Sequence, residues 1–197
     1  YKSPEGRPFI NSMLEKKSFD PEKWIDNYGD ELYSYACSRM KDTSVAQDIV
    51  QETFLSAWKS KDSFNGIYSE RNWLYAICKN KLIDHFRKSV RSVSTVDIEF
   101  EDVYFNKKEH WVKTKSPKTW TQDPSSKVEN DEFYKILELC QNKLKDQERN
   151  VFILKYMEDM DTEEICEKLE ITQSNFWVLI HRSKLQLRAC LEMNWFK

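Results

Sequence analysis

Asp48-Ile49-Val50-Gln51-Glu52-Thr53-Phe54 carries two different repeats on one predicted helix. Ala46, Ile49, Val50, Thr53 and Ala57 recur at offsets of three, four, seven and eleven residues, the spacing of a stripe that a helix buries. Thr43, just ahead of that stripe, is read as the N-cap. Asp48, Gln51, Glu52 and Leu55 repeat the same spacing on another face. A leucine among carboxylates is out of place on a purely solvated face, so this second stripe reads as an acidic docking surface with an apolar anchor. An ordinary charged helix face is the plainer alternative.

Working outward, the flanking sequence continues as helices. Residues from about Pro21 to Met40 are predicted to form one, with Ile25, Tyr28, Leu32 and Ala36 inward. The helix around Asp48 runs from Val45 to about Lys59. Asp62-Ser63-Phe64-Asn65-Gly66 is a turn-forming cluster, and beyond it a third helix from near Ser69 to Val90 carries Trp73, Asn80, Asp84, Arg87 and Lys88. With 40% hydrophobic residues, three glycines and five prolines, the 197-residue chain has the composition of a folded, mainly helical protein and has room for two small domains. Residues 92–126 mix Ser, Thr, Asp and Lys with Pro117 and Pro124 and show no sustained period, so they read as a linker. Its scattered aromatics Tyr104, Phe105, Trp111 and Trp120 suggest that it lies against something.

Past the linker, Phe133, Ile136, Leu137, Cys140 and Leu144 define a helix. Val151, Phe152, Lys155 and Tyr156 define the next, with Asp146 as its expected cap. Thr162-Glu163-Glu164-Ile165 then starts a short helix, Glu170-Ile171 forms a turn, and Thr172 caps a last helix that reaches about Cys190. Ile165, Cys166, Leu169, Ile171, Phe176 and Ile180 supply a shared core for this pair, the spacing of a helix-turn-helix, although a plain helical hairpin has the same pattern. The expected fold is therefore all-α: a first domain over 1–91, a linker over 92–126 and a second domain over 127–197 that ends in a helix-turn-helix.

The formal net charge of -2 averages over opposed patches. Lys79, Lys81, Arg87, Lys88 and Arg91 face only Asp84 in their segment, and Arg182, Lys184 and Arg188 have no carboxylate between Ile171 and Leu191. Acid collects on the Asp48 helix and in Asp97, Glu99, Glu101 and Asp102. A chain that shows acid to a protein and base to phosphates fits that alternation. His85, His110 and His181 are scattered and no Gly-rich phosphate loop is present, so no catalytic residue, metal site or cofactor is expected and the chain does not read as an enzyme. The five cysteines form no Cys-x-x-Cys pair; buried thiols are expected for them, and neither a disulfide framework nor zinc. With no signal peptide and no long apolar run, a cytoplasmic protein without membrane insertion is expected. The chain starts at Tyr1 with no initiator Met, so a missing or altered N-terminus is expected.

From roughly Trp24 to Arg91 the order and spacing of these segments resemble region 2 of bacterial RNA polymerase sigma factors, most closely the extracytoplasmic-function group of the sigma-70 family. The resemblance resumes near Val128 and runs to about Leu191 as region 4. It implies an initiation factor that binds core RNA polymerase, at the clamp helices of the largest subunit, through Asp48, Gln51, Glu52 and Leu55. It also implies that promoter DNA is read at two elements. For the minus-ten element the candidates are Phe64, Asn65, Gly66, Trp73, Asn80, Arg87, Lys88 and Arg91: the loop receives an unstacked base, the Asn80 face reads bases just upstream, and the basic end holds phosphates. From spacing alone, Trp73, Ala76, Asn80, Asp84, Arg87 and Arg91 share one face, and Trp73 is equally well read as a core residue. For the minus-thirty-five element the candidates are Ser174, Asn175, Trp177, Val178, His181, Arg182 and Lys184. Here the chain departs from its relatives, which commonly place Arg, Lys or Ser where it has Trp177, Val178 and Leu179; Trp177 and Leu179 could instead form a protein-binding patch. In such factors the connector threads the polymerase near its cleft, and an anti-sigma protein commonly covers the same surfaces. The competing readings are a stand-alone helix-turn-helix regulator that binds duplex DNA without polymerase, and an adaptor whose basic helices bind no specific DNA.

Overall fold

The computed structural model describes residues 19–91, Ser116 and 127–195. The linker aromatics, the Asp97–Asp102 acidic run and Phe196 lie outside those residues. Seven α-helices are present among them: α1 (Trp24–Cys37), α2 (Thr43–Ser60), α3 (Glu70–Arg91), α4 (Lys127–Asn142), α5 (Asp146–Tyr156), α6 (Thr162–Leu169) and α7 (Gln173–Asn194). Short 3-10 turns at Pro21–Lys23 and Lys61–Ser63 lead into α1 and out of α2.

The first unit packs α1, α2 and α3 on one another. The stripe on α2 is buried as its spacing requires: Ala46, Ile49, Val50, Thr53 and Ala57 all face inward. Thr53 satisfies its hydroxyl by donating to the Ile49 carbonyl at 2.7 Å, so a polar residue sits in the core at little cost. The cap differs by one residue from the expected Thr43. Asp42 is the N-cap, its carboxylate accepting from the Ser44 backbone N–H at 2.8 Å and from the Ser44 hydroxyl at 2.8 Å. A carboxylate there also meets the positive end of the helix, an advantage Thr43 lacks. Those bonds hold the Asp42 carboxyl below the ordinary range. On α1, Tyr28, Leu32 and Ala36 are inward as expected, but Trp24 takes the fourth inward position and Ile25 points out. Offsets of four from Trp24 through Tyr28, Leu32 and Ala36 make one straight stripe, and Ile25 falls beside it.

The second unit packs α4 and α5 on α7, with α6 against both α5 and α7. Asp146 is the first helical residue of α5, not its cap; Lys145 holds the cap position, and the Asp146 carboxylate pairs with Lys41 at 2.7 Å. Thr172 caps α7 as its position predicts, accepting from the Asn175 backbone N–H at 3.2 Å. The turn between α6 and α7 bends at Glu170, whose φ of 58° is left-handed, and closes with the Ile171 N–H on the Cys166 carbonyl at 3.0 Å. Ile165, Cys166, Leu169, Phe176 and Ile180 are buried and Ile171 packs against them. Glu148 on α5 is buried and accepts from the Gln186 amide at 2.8 Å, and burial raises its carboxyl above the ordinary range.

Cys140 on α4 and Cys190 on α7 form a disulfide, with Cα atoms 5.7 Å apart and a sequence separation of 50. This corrects the expectation of unpaired thiols, which rested on the lack of any short cysteine spacing. Helices that pack side by side can bring together cysteines from any separation. Cys37, Cys78 and Cys166 are free, the last two buried as expected. No described helix is long and apolar enough to cross a membrane.

Closing a loop of this length is worth about 4 kcal/mol through the unfolded state. A Cys140→Ser/Cys190→Ser variant, or the wild type under reductant, is expected to melt several degrees lower than the oxidised protein in a thermal scan. Because the raised carboxyl of Glu148 penalises its charged form, that cost is present at neutral pH and vanishes as pH falls below the unfolded carboxylate range. Glu148→Gln is therefore expected to stabilise the chain most at neutral pH, with the gain shrinking on acidification in denaturant titrations.

Candidate nucleic-acid interface and docking groove

The site begins at Glu70, the first residue of α3, which is buried. Its carboxylate accepts from three donors of the preceding chain: the Asp20 backbone N–H at 2.9 Å, the Trp24 indole N–H at 3.1 Å and the Tyr28 hydroxyl at 3.3 Å. Together these tie the start of α1 to the start of α3. Around that tie lies an aromatic cluster. Phe64 stacks on Phe19 with centroids 4.8 Å apart and leans on Trp73 at 5.2 Å, and Trp73 meets the edge of Trp24 at 5.6 Å. Trp73 is half-buried there, so it has both a core role and an open edge.

The loop after Phe64 projects from this cluster. Asn65 accepts from the Ile67 N–H at 3.1 Å, and Gly66 sits at φ 70°, where a side chain would be strained although the space around it is open. Asn65 and Gly66 are exposed, and so are Ile67 and Tyr68, two large side chains held in solvent beside the aromatic cluster. Along α3, Ala76, Asn80 and Asp84 share an exposed face, and Lys88 is exposed near its end. Arg87 is not available in the same way: its guanidinium pairs with Asp84 at 3.1 Å and donates to the Lys168 carbonyl of α6. The Arg91 side chain lies outside the described residues. Beside this row, burial and then Lys88 lower the His85 imidazole below the ordinary histidine range.

On α7, Ser174, Asn175, Trp177, Val178, His181 and Lys184 are exposed and Arg182 is half-buried. Trp177 is 59% exposed while Leu179 is 4% exposed, so the protein-binding patch of Trp177 with Leu179 does not form. Leu179 belongs to the inward stripe with Phe176 and Ile180. Lys184 lies 5.2 Å over the Tyr156 ring. Trp195 packs back on Phe133 at 5.6 Å.

The second surface is a groove of about 530 Å³ between α1 and α2. Gln51 and Leu55 border it, joined by Ile25, Tyr33, Phe54 and Trp58. Leu55 is 60% and Ile25 66% exposed, a large apolar investment to leave in water. Asp48 and Glu52 are exposed on the same helix outside the groove lining, Glu52 lying 3.6 Å from Lys81. Sequence reasoning missed Ile25, Tyr33 and Trp58. The signal was present, since Trp58 extends the Asp48, Gln51, Leu55 repeat by three, and Ile25, Gly29 and Tyr33 are spaced by four.

Two helical units, the second carrying a helix-turn-helix and the first an exposed loop on an aromatic base, define a DNA-binding transcription factor. Residues 24–92 match the family described as sigma-70 region 2, and residues 134–187 match sigma-70 region 4. A probable RNA polymerase sigma factor of Haemophilus influenzae is 33% identical over 164 residues, covering 82% of this chain and 84% of that protein. The extracytoplasmic-function sigma factor SigM of Bacillus subtilis is 26% identical over 163 residues, covering 82% and 89%. Among solved structures, the sigma factor RpoE in complex with the anti-sigma factor NepR from Bartonella quintana is similar at 19% identity and a TM-score of 0.44, covering 87% of this chain and 96% of that one. The chain belongs to the extracytoplasmic-function group of the sigma-70 family of RNA polymerase sigma factors.

Glu70→Ala is expected to leave the Trp24, Tyr28 and Asp20 donors without an acceptor and to cost about 3 kcal/mol in denaturant unfolding. Red-shifted tryptophan emission is expected with it, and an unchanged midpoint would mean that the tie contributes little.

Proposed function

We infer that this sigma factor acts in the cytoplasm, docking on core RNA polymerase through α2 and opening promoter DNA at the loop and open face of α3. The observation that carries the reading is the apolar groove bordered by Gln51 and Leu55. It places an apolar anchor beside the Asp48 and Glu52 carboxylates. An amphipathic helical partner with a basic margin suits such a surface: Leu55, Ile25 and Trp58 supply contact area, and the carboxylates select orientation and speed encounter. The clamp helices of the largest polymerase subunit are the partner that the family assigns.

Opening a duplex costs a few kcal/mol per unstacked step. Phe64, with Ile67 and Tyr68 beside it, supports a role in accepting an unstacked base, because the aromatic base beneath the loop is already packed and loses little freedom on binding. Trp73 contributes its open edge, Asn65, Gly66 and Asn80 the polar contacts to bases, and Arg87, Lys88 and Arg91 the phosphate contacts. On α7, Ser174, Asn175 and His181 offer hydrogen bonds to base edges, Trp177 and Val178 apolar contact with thymine methyls, and Arg182 and Lys184 the backbone contacts. The phosphoryl transfer belongs to the polymerase; this chain contributes differential affinity for the open strand.

Run-off transcription with bacterial core polymerase and a pool of promoter fragments tests the reading. Specific transcripts are expected with the unmodified chain and a loss of at least about tenfold with Asp48→Lys/Glu52→Lys, the penalty of one or two reversed contacts at an interface. Tight binding to duplex DNA without core, and no transcript with it, would replace this reading with a stand-alone regulator.

A further inference from the structure

The Cys140–Cys190 bridge joins two helices at the smallest of the buried clusters. That cluster is Cys140 and Leu144 on the α4 side and Leu187, Cys190 and Leu191 on α7, so the bridged pair makes up two of its five buried residues. The rest of the second unit has a core of its own. Val151, Ile165, Phe176 and Ile180, with Met160 from the Glu158 loop between α5 and α6, belong to a separate cluster that no α4 residue joins. α4 packs mainly on α7, and little besides the bridge and three leucines fixes it there. Cys190 lies four residues short of the end of α7 at Asn194. The Asn194 side-chain amide donates to the Cys190 carbonyl at 2.7 Å and to its Sγ at 3.4 Å. Cys190 is 7% exposed and Cys140 1%, so the sulfur that solvent reaches first is the one beside that donor.

We propose that Cys140 and Cys190 are a reversible thiol–disulfide site, at which oxidation by a peroxide locks α4 onto α7 and reduction by a dithiol frees it to move on the 143–145 turn. The claim rests on the cytoplasmic placement given above, where dithiols keep ordinary thiols reduced and a lasting bridge is unusual. In the oxidative direction the Cys190 thiolate attacks one peroxide oxygen and the O–O bond breaks. The sulfur becomes a sulfenic acid and the departing oxygen leaves as water after taking a proton. The Cys140 thiol then attacks that sulfur, the S–S bond forms, and the sulfenic oxygen leaves as a second water. Two thiols have given up two electrons to the peroxide. In the reverse direction a thiolate of the dithiol attacks Cys190 Sγ, Cys140 leaves as a thiolate, and the second thiol of the reagent releases Cys190 and carries away the new disulfide. Two features suit the pair to this cycle. The Asn194 amide stabilises negative charge on Cys190 Sγ, and the end of a helix frays before its middle, so attack needs only a local opening. Leu144, Leu187 and Leu191 keep the reduced helices side by side, so the thiols remain neighbours and reclosure needs no search. Because α7 also carries the residues assigned to the minus-thirty-five element, pinning its second half lowers the ordering cost of DNA binding, and the oxidised form is the more active one.

The test uses the full chain, cycled between dithiothreitol and hydrogen peroxide without denaturant. Alkylation in denaturant after each step counts thiols, and hydrogen-exchange mass spectrometry on both forms reports where the chain loosens. Native protein is expected to gain two alkylatable thiols with dithiothreitol and to lose them with peroxide. On reduction the α4 amides are expected to exchange about tenfold faster or more, while those of α5 and α6 stay within about twofold. Run-off transcription with core polymerase is expected to be about threefold higher or more with the oxidised chain. A Cys140→Ala/Cys190→Ala variant separates this pair from Cys37, Cys78 and Cys166, since neither exchange nor transcription should respond to redox state in it. The measurements on the unsubstituted chain carry the test if that variant loses helix. A bridge that dithiothreitol opens only in denaturant overturns the proposal, as does reduction that speeds exchange equally in α4, α5 and α6, because either makes the bond purely structural. Redox-dependent exchange with equal transcription from the two forms leaves the thiol site standing and overturns its link to promoter binding. No transcription from either form overturns the sigma-factor role and leaves the thiol site to the exchange data.

Discussion

The structure depends on α3 having two inward faces. Leu74, Cys78 and Leu82 bury into the core built with α1 and α2, and from the very next residue Ile83, Phe86 and Val90 bury into the core built with α5, α6 and α7. Leu82 and Ile83 are adjacent residues that serve different cores, so the change of face occurs within a single step of the helix. A continuous α-helix can do this without a kink because neighbouring positions are about 100° apart. The consequence is mechanical: any rotation of α3 that improves one core disturbs the other. Met40, at the end of the α1 segment, packs against both cores and marks where they meet.

Glu70 complements this at the other end of the same helix. A buried carboxylate with three donors is a demanding arrangement, and it is used here to set the start of α3 against the start of α1. The aromatic stack of Phe19, Phe64 and Trp73 forms on that base, and the Asn65–Gly66 turn then aims the exposed loop residues outward. The base-accepting role proposed for this loop would gain from such support, since a loop fixed before binding loses less entropy on binding. The polar face of α3 and the loop are thus positioned by the same few contacts that close the first core.

Local periodicity carried most of what could be read in advance. The inward residues of α2, the Thr172 cap, the helix-turn-helix core and the boundaries of α3 follow from spacing because a helix repeats every 3.6 residues whatever it packs against. Two misses were local, since Asp42 adjoins the Thr43 read as the cap and offsets of four already favour Trp24 over Ile25; the others have another cause. The inward Trp24 is also held by Glu70, 46 residues away, a contact that local spacing does not announce. Asp146 serves Lys41 instead of capping its own helix, and the Cys140–Cys190 bridge joins helices separated by the entire α5–α6 segment. Arg87 is a different case: its proposed phosphate contact stands, and its contacts with α6 and the turn after it are likewise set by residues far along the chain. Pairings across the fold leave no periodic trace in one sequence. The groove is an intermediate case: the Asp48, Gln51 and Leu55 stripe was legible, while its apolar wall required knowing that α1 lies alongside.

The Cys140–Cys190 bridge encloses α5, α6 and most of α7 in a covalent ring. Within that ring lie the Glu158 loop, the Glu170 turn and the exposed residues of the last helix from Ser174 to Lys184. A peptide bond hydrolysed anywhere inside it yields no separate fragment, because the two strands stay joined through sulfur. Proteolytic nicking of the turn or loop would thus change the stiffness of the second unit without changing the mass of the oxidised molecule beyond one added water. Under reducing conditions the same nick would divide the chain, so a single scission has two different outcomes set by the thiol state of one cysteine pair.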